Sequence, residues 1–217
     1  MTHRRVIAVA FACVIAVPAA AQQFSADIVA AGRDDSSPGK IYVSDGKVRM
    51  ERVSGGPGTM LVDSHANTAF VLMPQQKMYV DVGSRGGMAQ VFRPVDPNNP
   101  CPQWQEIAKQ MQKDAADWSC KRVGSETVNG RSTVKYQASS SQDKTEYIWI
   151  DTSLKYMVKS EDAKGQGMEL RNIKEGAQPA SLFEIPAGYQ KADMSQMMQQ
   201  MMQQMKQQHG PGASPPQ

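Results

Sequence analysis

The feature that most limits what this chain can become is the stretch 40–82. Five short apolar runs (40–44, 47–53, 59–63, 69–73 and 77–82) follow one another there with little between them. Most alternate apolar and polar side chains with period two, the pattern of a strand buried on one side. Asp45-Gly46, between the first two runs, accepts the positive φ values of a two-residue primed turn. The next breaks are Gly55-Gly56-Pro57-Gly58, His65-Ala66-Asn67-Thr68 and Pro74-Gln75-Gln76. None is long enough to hold a crossover helix, so successive strands must pair antiparallel. The stretch reads as an up-and-down meander with one apolar face.

The rest of the chain supplies a partner strand, a helix and a second meander. Residues 22–31 open with a strand that puts Phe24, Ala26, Ile28 and Ala30 on one side, and 32–39 is a polar loop. Pro102 suits the first position of a helix over 102–116. Trp104, Ile107, Ala108, Met111 and Ala115 then share one face of it. Strands at 121–128 and 131–138 are joined by Asn129-Gly130, a second primed-turn signal. Further strands are predicted at 144–151, 154–161 and 166–174, with 181–186 closing the domain. With about eleven or twelve strands, one long helix and no βαβ unit, the class is mainly β (α+β), a large, strongly curved antiparallel sheet covered by the helix.

The N-terminus speaks for export. Thr2-His3-Arg4-Arg5 is a basic start, 6–17 is a short apolar run, and Ala19-Ala20-Ala21 offers a small-residue cleavage site. The run is too short for a membrane span, so 1–21 reads as a cleavable signal peptide and the mature chain as periplasmic. A lipid-modified Cys13 is the rival, although Ala10-Phe11-Ala12-Cys13 is a poor lipobox. Loss of Arg4 and Arg5 lowers the formal charge from +3 to +1. Such balance leaves no electrostatic footprint for nucleic acid or an anionic membrane. Of the three cysteines, Cys101 and Cys120 remain, and an even count in an exported chain predicts a disulfide between them. The bond would clip the two ends of the intervening helix together, making 101–120 a fastened helical insert in a domain spanning 22–192.

Residues 193–217 differ in composition. Met194, Met197, Met198, Met201, Met202 and Met205 fall at i, i+3, i+4, i+7, i+8 and i+11, a helical stripe of thioethers on a Gln-rich segment. Its end, 210–217, is rich in Pro and Gly and reads as disordered. A helix of this length is marginal alone in water. Its stripe therefore needs cover, lying back over the concave face or docking on a partner such as another envelope protein, or else the segment stays disordered. A lower-ranked alternative is Cu(I), which thioethers favour.

The inventory for catalysis is thin. After cleavage only His65 and His209 remain. Asp63-Ser64-His65 contains triad residue types, but sequential neighbours at a hairpin tip do not stack into a relay. The glycine-rich 55–58 lacks the Lys-Ser/Thr and helix of a phosphate loop, and no His or carboxylate set has metal spacing. The expectation is a non-enzyme with no cofactor.

Several weak motifs, taken in order, carry a family resemblance. Gly39-Lys40-Ile41-Tyr42-Val43 turns into Gly46-Lys47-Val48-Arg49-Met50, and Leu61-Val62-Asp63, Phe70-Val71-Leu72 and Met78-Tyr79-Val80 follow. Trp149-Ile150-Asp151, Lys159-Ser160-Glu161 and the closing Leu182-Phe183-Glu184-Ile185-Pro186-Ala187-Gly188-Tyr189 complete the series. Together they resemble the LolA-like periplasmic proteins, over residues 24–189. The resemblance implies an open half-barrel whose concave apolar face is covered by helices. In the lipoprotein carriers of the group that hollow shelters acyl chains, and in a stress-sensing relative a similar fold binds a signalling partner. The helical insert and the Met-rich tail are departures from the carrier pattern, so carrier activity does not transfer with the resemblance.

Two functions follow as expectations. One is apolar-ligand binding, of a lipid or a lipoprotein acyl chain. The period-two pattern then puts Ile41, Val43, Val48, Met50, Met60, Val62, Phe70, Leu72, Met78 and Val80 on the ligand face, with Ile148, Ile150 and Val158 extending it and Trp104 over it. Pattern alone leaves open whether that hollow is empty or filled by the protein itself. The other is a partner-docking or envelope-stress sensor domain.

Overall fold

The computed structural model describes residues 22–30, 38–52, 58–83, 88–111, 118–139 and 145–192. Residues 1–21, expected to be a signal peptide, and the Met-rich stretch 193–217 lie outside them. The first meander comprises β1 (Gln23–Ala30), β2 (Gly39–Ser44), β3 (Lys47–Glu51), β4 (Thr59–Asp63), β5 (Thr68–Met73) and β6 (Met78–Asp81). A 3-10 turn, Met88–Phe92, and the helix α1 (Cys101–Met111) come next. The second meander is β7 (Ser119–Val128), β8 (Arg131–Ser139), β9 (Thr145–Asp151), β10 (Tyr156–Asp162) and β11 (Gly167–Glu175). After a 3-10 turn at Ala180–Phe183 the chain ends its described part with β12 (Gln190–Lys191). All twelve strands form one sheet in the order β12-β6-β5-β4-β3-β2-β1-β11-β10-β9-β8-β7, open and curved.

The turn chemistry accounts for much of this. Asp45 and Gly46 take φ values of 44° and 74°, and Asn129 and Gly130 take 49° and 79°. Two consecutive positive φ values are those of a type I′ turn, whose twist matches that of the strands it joins. At the end of β9 the Asp151 carboxylate is 1% exposed and accepts the backbone N–H groups of Ser153 and Leu154, both at 2.8 Å. Arg131 neutralises it and also reaches Glu175 at 2.8 Å. The Asp of Trp149-Ile150-Asp151 is thus a turn cap held by a cation.

Two expectations are corrected here. The segment 181–186 is no strand. Pro179 and Pro186 flank it, and a prolyl nitrogen cannot donate to a ladder. Residues 176–189 instead form a strap that leaves β11 and crosses β2–β5 on the way to β6. The Gly176 N–H donates to the Gln23 carbonyl at 2.9 Å, and the Arg49 guanidinium donates to the Leu182 carbonyl at 3.1 Å. The closing strand is β12, which pairs parallel to β6 through Gln190↔Met78 and Lys191↔Tyr79. Second, Cys101 and Cys120 are bonded, with Cα atoms 5.6 Å apart, but Cys120 sits in β7 opposite Ala138. The bond therefore fastens the first residue of α1 to the edge strand and does not join the helix's two ends.

Candidate functional site

Register decides which side chains share a face. Ile41 stands opposite Met50, Met50 opposite Met60, Met60 opposite Val71 and Val71 opposite Val80. In the neighbouring row Phe24, Val43, Val48, Val62 and Ala69 follow one another across the strands. Paired residues point the same way, so these rows define one apolar face, called inner here. On the far side of β1, Ala30 is opposite Met168, Met168 opposite Ser160 and Ser160 opposite Ile148, so the inner face continues into the second meander.

The predicted ligand residues sort accordingly. Ile41, Val43, Val48, Met50, Val62, Val80, Ile148 and Ile150 are on the inner face and buried, with Val48 and Ile150 at 0% exposure. Met60 and Met78 share that face and are half-buried. Val158 is buried at the β10 irregularity between Met157 and Lys159. Phe70 and Leu72 are a correction. Phe70 pairs with Leu61, and Leu72 with Thr59 and Tyr79, which turns both to the outer face crossed by the strap. Every residue from Ala69 to Met73 is apolar, so alternation within β5 carries no information about direction. The residues missed are Val71 and Met73, which are on the inner face and half-buried. Counting outward from the four-residue turn, with Asp63 opposite Thr68, would have found them.

The centre of the hollow is filled by the protein itself. Residues 88–100 run over the inner face, with Ala89 1% exposed in the first core cluster and Val95 5% exposed in the second. The Val95 N–H donates to the Lys155 carbonyl at 2.9 Å, and the Tyr136 hydroxyl donates to the Pro97 carbonyl at 3.0 Å. Burial raises the pKa of that phenol above its ordinary value. Trp104 of α1 packs edge-on to Tyr136 with ring centres 5.8 Å apart, beside Val134, Ile148 and Ile150 in the second cluster. Ile107 and Ala108 are half-buried on the same stripe of α1. Toward β6 the cover thins: Val71, Met73 and Met78 are half-buried and belong to neither cluster.

The outer face has different chemistry. Two adjoining clefts, of about 410 and 350 Å³, lie around the β1–β11 irregularity. Asp27 in the larger one accepts from Asn172 at 2.7 Å and pairs with Lys40. These two interactions, Asn172 first, hold its carboxyl below the usual range against the opposing effect of burial. A cleft lined by Asp27, Lys40, Tyr42 and Lys174 suits an acyl chain poorly, since covering these groups costs their hydration. Further along, the Lys135 ammonium sits 4.5 Å from the centre of the Trp149 ring and 5.0 Å from that of Tyr147. Glu126 accepts the Trp149 indole N–H at 2.9 Å and the Lys135 ammonium at 3.1 Å, so its carboxyl too is held low.

The triad residue types at 63–65 form a turn. The Asp63 carboxylate accepts the backbone N–H groups of His65 and Ala66, both at 2.9 Å, so Asp63-Ser64-His65 is an Asx-type turn. The methionines of the lower-ranked Cu(I) alternative lie outside the described residues. No helix among the described residues is long and apolar enough to cross a membrane.

The architecture is a one-sheet open half-barrel whose hollow is crossed by a helix-bearing connection. Among solved structures it is similar to an uncharacterized conserved protein from Thermus thermophilus, with TM-score 0.50 and 10% identity over 79% of this chain and 90% of that one. It is also similar to PNGF-II, with TM-score 0.50 and 12% identity over 84% of this chain, which spans 34% of PNGF-II. The Pseudomonas aeruginosa MucA/MucB complex is a looser likeness, with TM-score 0.42 and 17% identity over 76% of this chain and 56% of that one. No protein-family model and no curated protein matches the chain.

Proposed function

We propose that this is a non-catalytic binding protein of the bacterial envelope, exported by its first 21 residues. It takes an apolar ligand, a lipid or a lipoprotein acyl chain, at the β4–β6 end of the inner face. The observation that carries this is the half-buried row of Met60, Val71, Met73 and Met78, continuous with a closed core yet left partly open to solvent. Methionine is flexible and polarisable and suits a surface that must adapt to its occupant. Because 88–100 and Trp104 fill the centre of the hollow, the ligand lies along the rim rather than deep inside. That same filling favours the second reading, in which the rim docks an apolar segment of a partner protein.

Displacement of a fluorescent fatty acid, with native mass spectrometry of gently extracted protein, tests the first reading. Saturable one-to-one uptake that is lost in a Met73→Gln, Met78→Gln variant is the expected result. A folded protein that takes up no probe and brings no lipid out of the cell ends it.

A further inference from the structure

The middle of the sheet holds a stretch of strand with a partner on one side alone. β10 and β11 are neighbours, yet their register runs only through Glu161↔Gly167, Ser160↔Met168 and Lys159↔Glu169. β11 continues to Glu175 and stays paired with β1 as far as Phe24↔Glu175. Among the described residues, its side turned to β10 therefore has no strand partner from Arg171 to Glu175. Both strands are irregular near the point of parting. Val158 is an extra residue of β10 against β9. In β11 three steps, Arg171 to Lys174, match two in β1, Asp27 to Ser25, and Asn172 there takes a φ of 51°. Bulges bend a strand and end its pairing, so the two strands separate.

Strand backbone needs partners, and side chains supply few here. Asn129, at the tip of the β7–β8 hairpin, donates to the Leu170 carbonyl at 3.2 Å and seals the end where the strands part. At the other end the Arg131 guanidinium spans the gap, holding Asp151 of β9 and, at 2.8 Å, Glu175 of β11. On the inner side the Tyr156 ring of β10 reaches Phe24 of β1, with ring centres 5.3 Å apart, and closes the gap toward the hollow. The gap opens outward, into the cleft of about 350 Å³ between the hairpin tip and residues 170–173.

An extended chain fits what is open. Pairing along 171–175 engages about five residues, or about 17 Å of strand, and main-chain bonds to an open strand side are a general source of affinity for peptides. The side chains set the preference. Lys174 is exposed. Glu175 is 57% exposed, so its ion pair with Arg131 is weak, and a carboxylate of the incoming chain can replace it on the same guanidinium fork.

We infer that the gap between β10 and β11 is a docking slot for an extended acidic segment of a partner protein, which adds as a strand along Arg171–Glu175 and sets a carboxylate on Arg131. The slot is on the outer face, so it stands apart from the apolar-ligand reading and is compatible with an occupied rim.

The test offers the chain from Gln22 to Gln217 a synthetic pool of random eight-residue peptides and sequences the retained fraction by mass spectrometry. Enrichment of Asp and Glu, with loss of Pro, is expected. A peptide from that fraction should slow amide hydrogen exchange at 171–175. Its copy N-methylated at alternate residues loses at least two main-chain bonds and should bind about tenfold more weakly or worse. Glu175→Gln, which frees Arg131, should tighten binding about threefold, and Lys174→Glu should weaken it about fivefold. Both positions are exposed, so neither variant threatens the fold. A pool from which nothing is retained, or a retained fraction without acidic bias, overturns the proposal. Protection confined to other strands overturns it as well. An N-methylated copy that binds equally and is displaced by inorganic phosphate would make the cleft a plain anion site and reject strand addition. None of these results bears on fatty-acid uptake at the rim, so the two readings fail separately.

Discussion

Leu72 and Met73 are neighbours in sequence and face opposite ways, so substituting each separates stability from binding. Leu72 is 1% exposed on the outer, strap-covered face. Leu72→Ala removes three buried carbons with little room for collapse and should cost about 2–5 kcal/mol. At roughly 2–4 °C per kcal/mol for a domain of this size, about 3 kcal/mol lowers the melting temperature by about 6–12 °C. Met73 is half-buried on the inner face, and Met73→Gln keeps its length, so its effect on stability should stay within about 0.5 kcal/mol. Its effect on an acyl ligand should be larger: loss of about 1 kcal/mol of apolar contact weakens binding roughly fivefold. Urea unfolding followed by the fluorescence of Trp104, Trp118 and Trp149 reads the first quantity, and fatty-acid titration at a urea-free reference point reads the second. The opposite result, with Leu72→Ala stable and non-binding and Met73→Gln unstable and binding, would refute the assignment of faces.

Two further outcomes follow. Reducing the Cys101–Cys120 bond, or replacing both residues with Ser, removes the constraint on a 19-residue separation, worth about 3 kcal/mol on chain-entropy grounds; thermal unfolding with and without reductant should show it, and equal midpoints would place the bond outside the cooperative unit. The Asp27 carboxyl is held below its ordinary value of 3.8 by Asn172 and Lys40, so its stabilising effect is complete above that pH and is lost as pH falls through the lowered value. Urea midpoints should drop from pH 5 to pH 3, less steeply in Asp27→Asn, and an unchanged slope in that variant would remove Asp27 from the account.

The strands of both meanders were legible because their cues are local. Asp45-Gly46 and Asn129-Gly130 set turn type, and alternation in 40–51 and 131–138 set the buried side. Where local cues failed, the missing information was a partner. In β5 both faces are apolar, since the strap covers one and the core the other, so only pairing with β4 gives direction. The 3-10 turn at Met88–Phe92 fills the hollow from a stretch whose composition says only loop. The strap's apolar residues, Leu182, Phe183 and Ile185, read as a strand by spacing, but the chain crosses the sheet there. The disulfide was legible from the even cysteine count, although where it fastens depended on β7 reaching back to Ser119.

The strand order has a consequence for how the chain acquires its structure. Each series of hairpins assembles from neighbours a few residues apart, but the two series join through a single seam, β1 against β11, where Phe24 meets Glu175. The first strand to emerge therefore waits for one of the last before its second edge is paired, and closing so long a separation is the slow kind of step. Until then the two half-sheets each present an open edge along that seam, and their meeting is the event that completes the hollow.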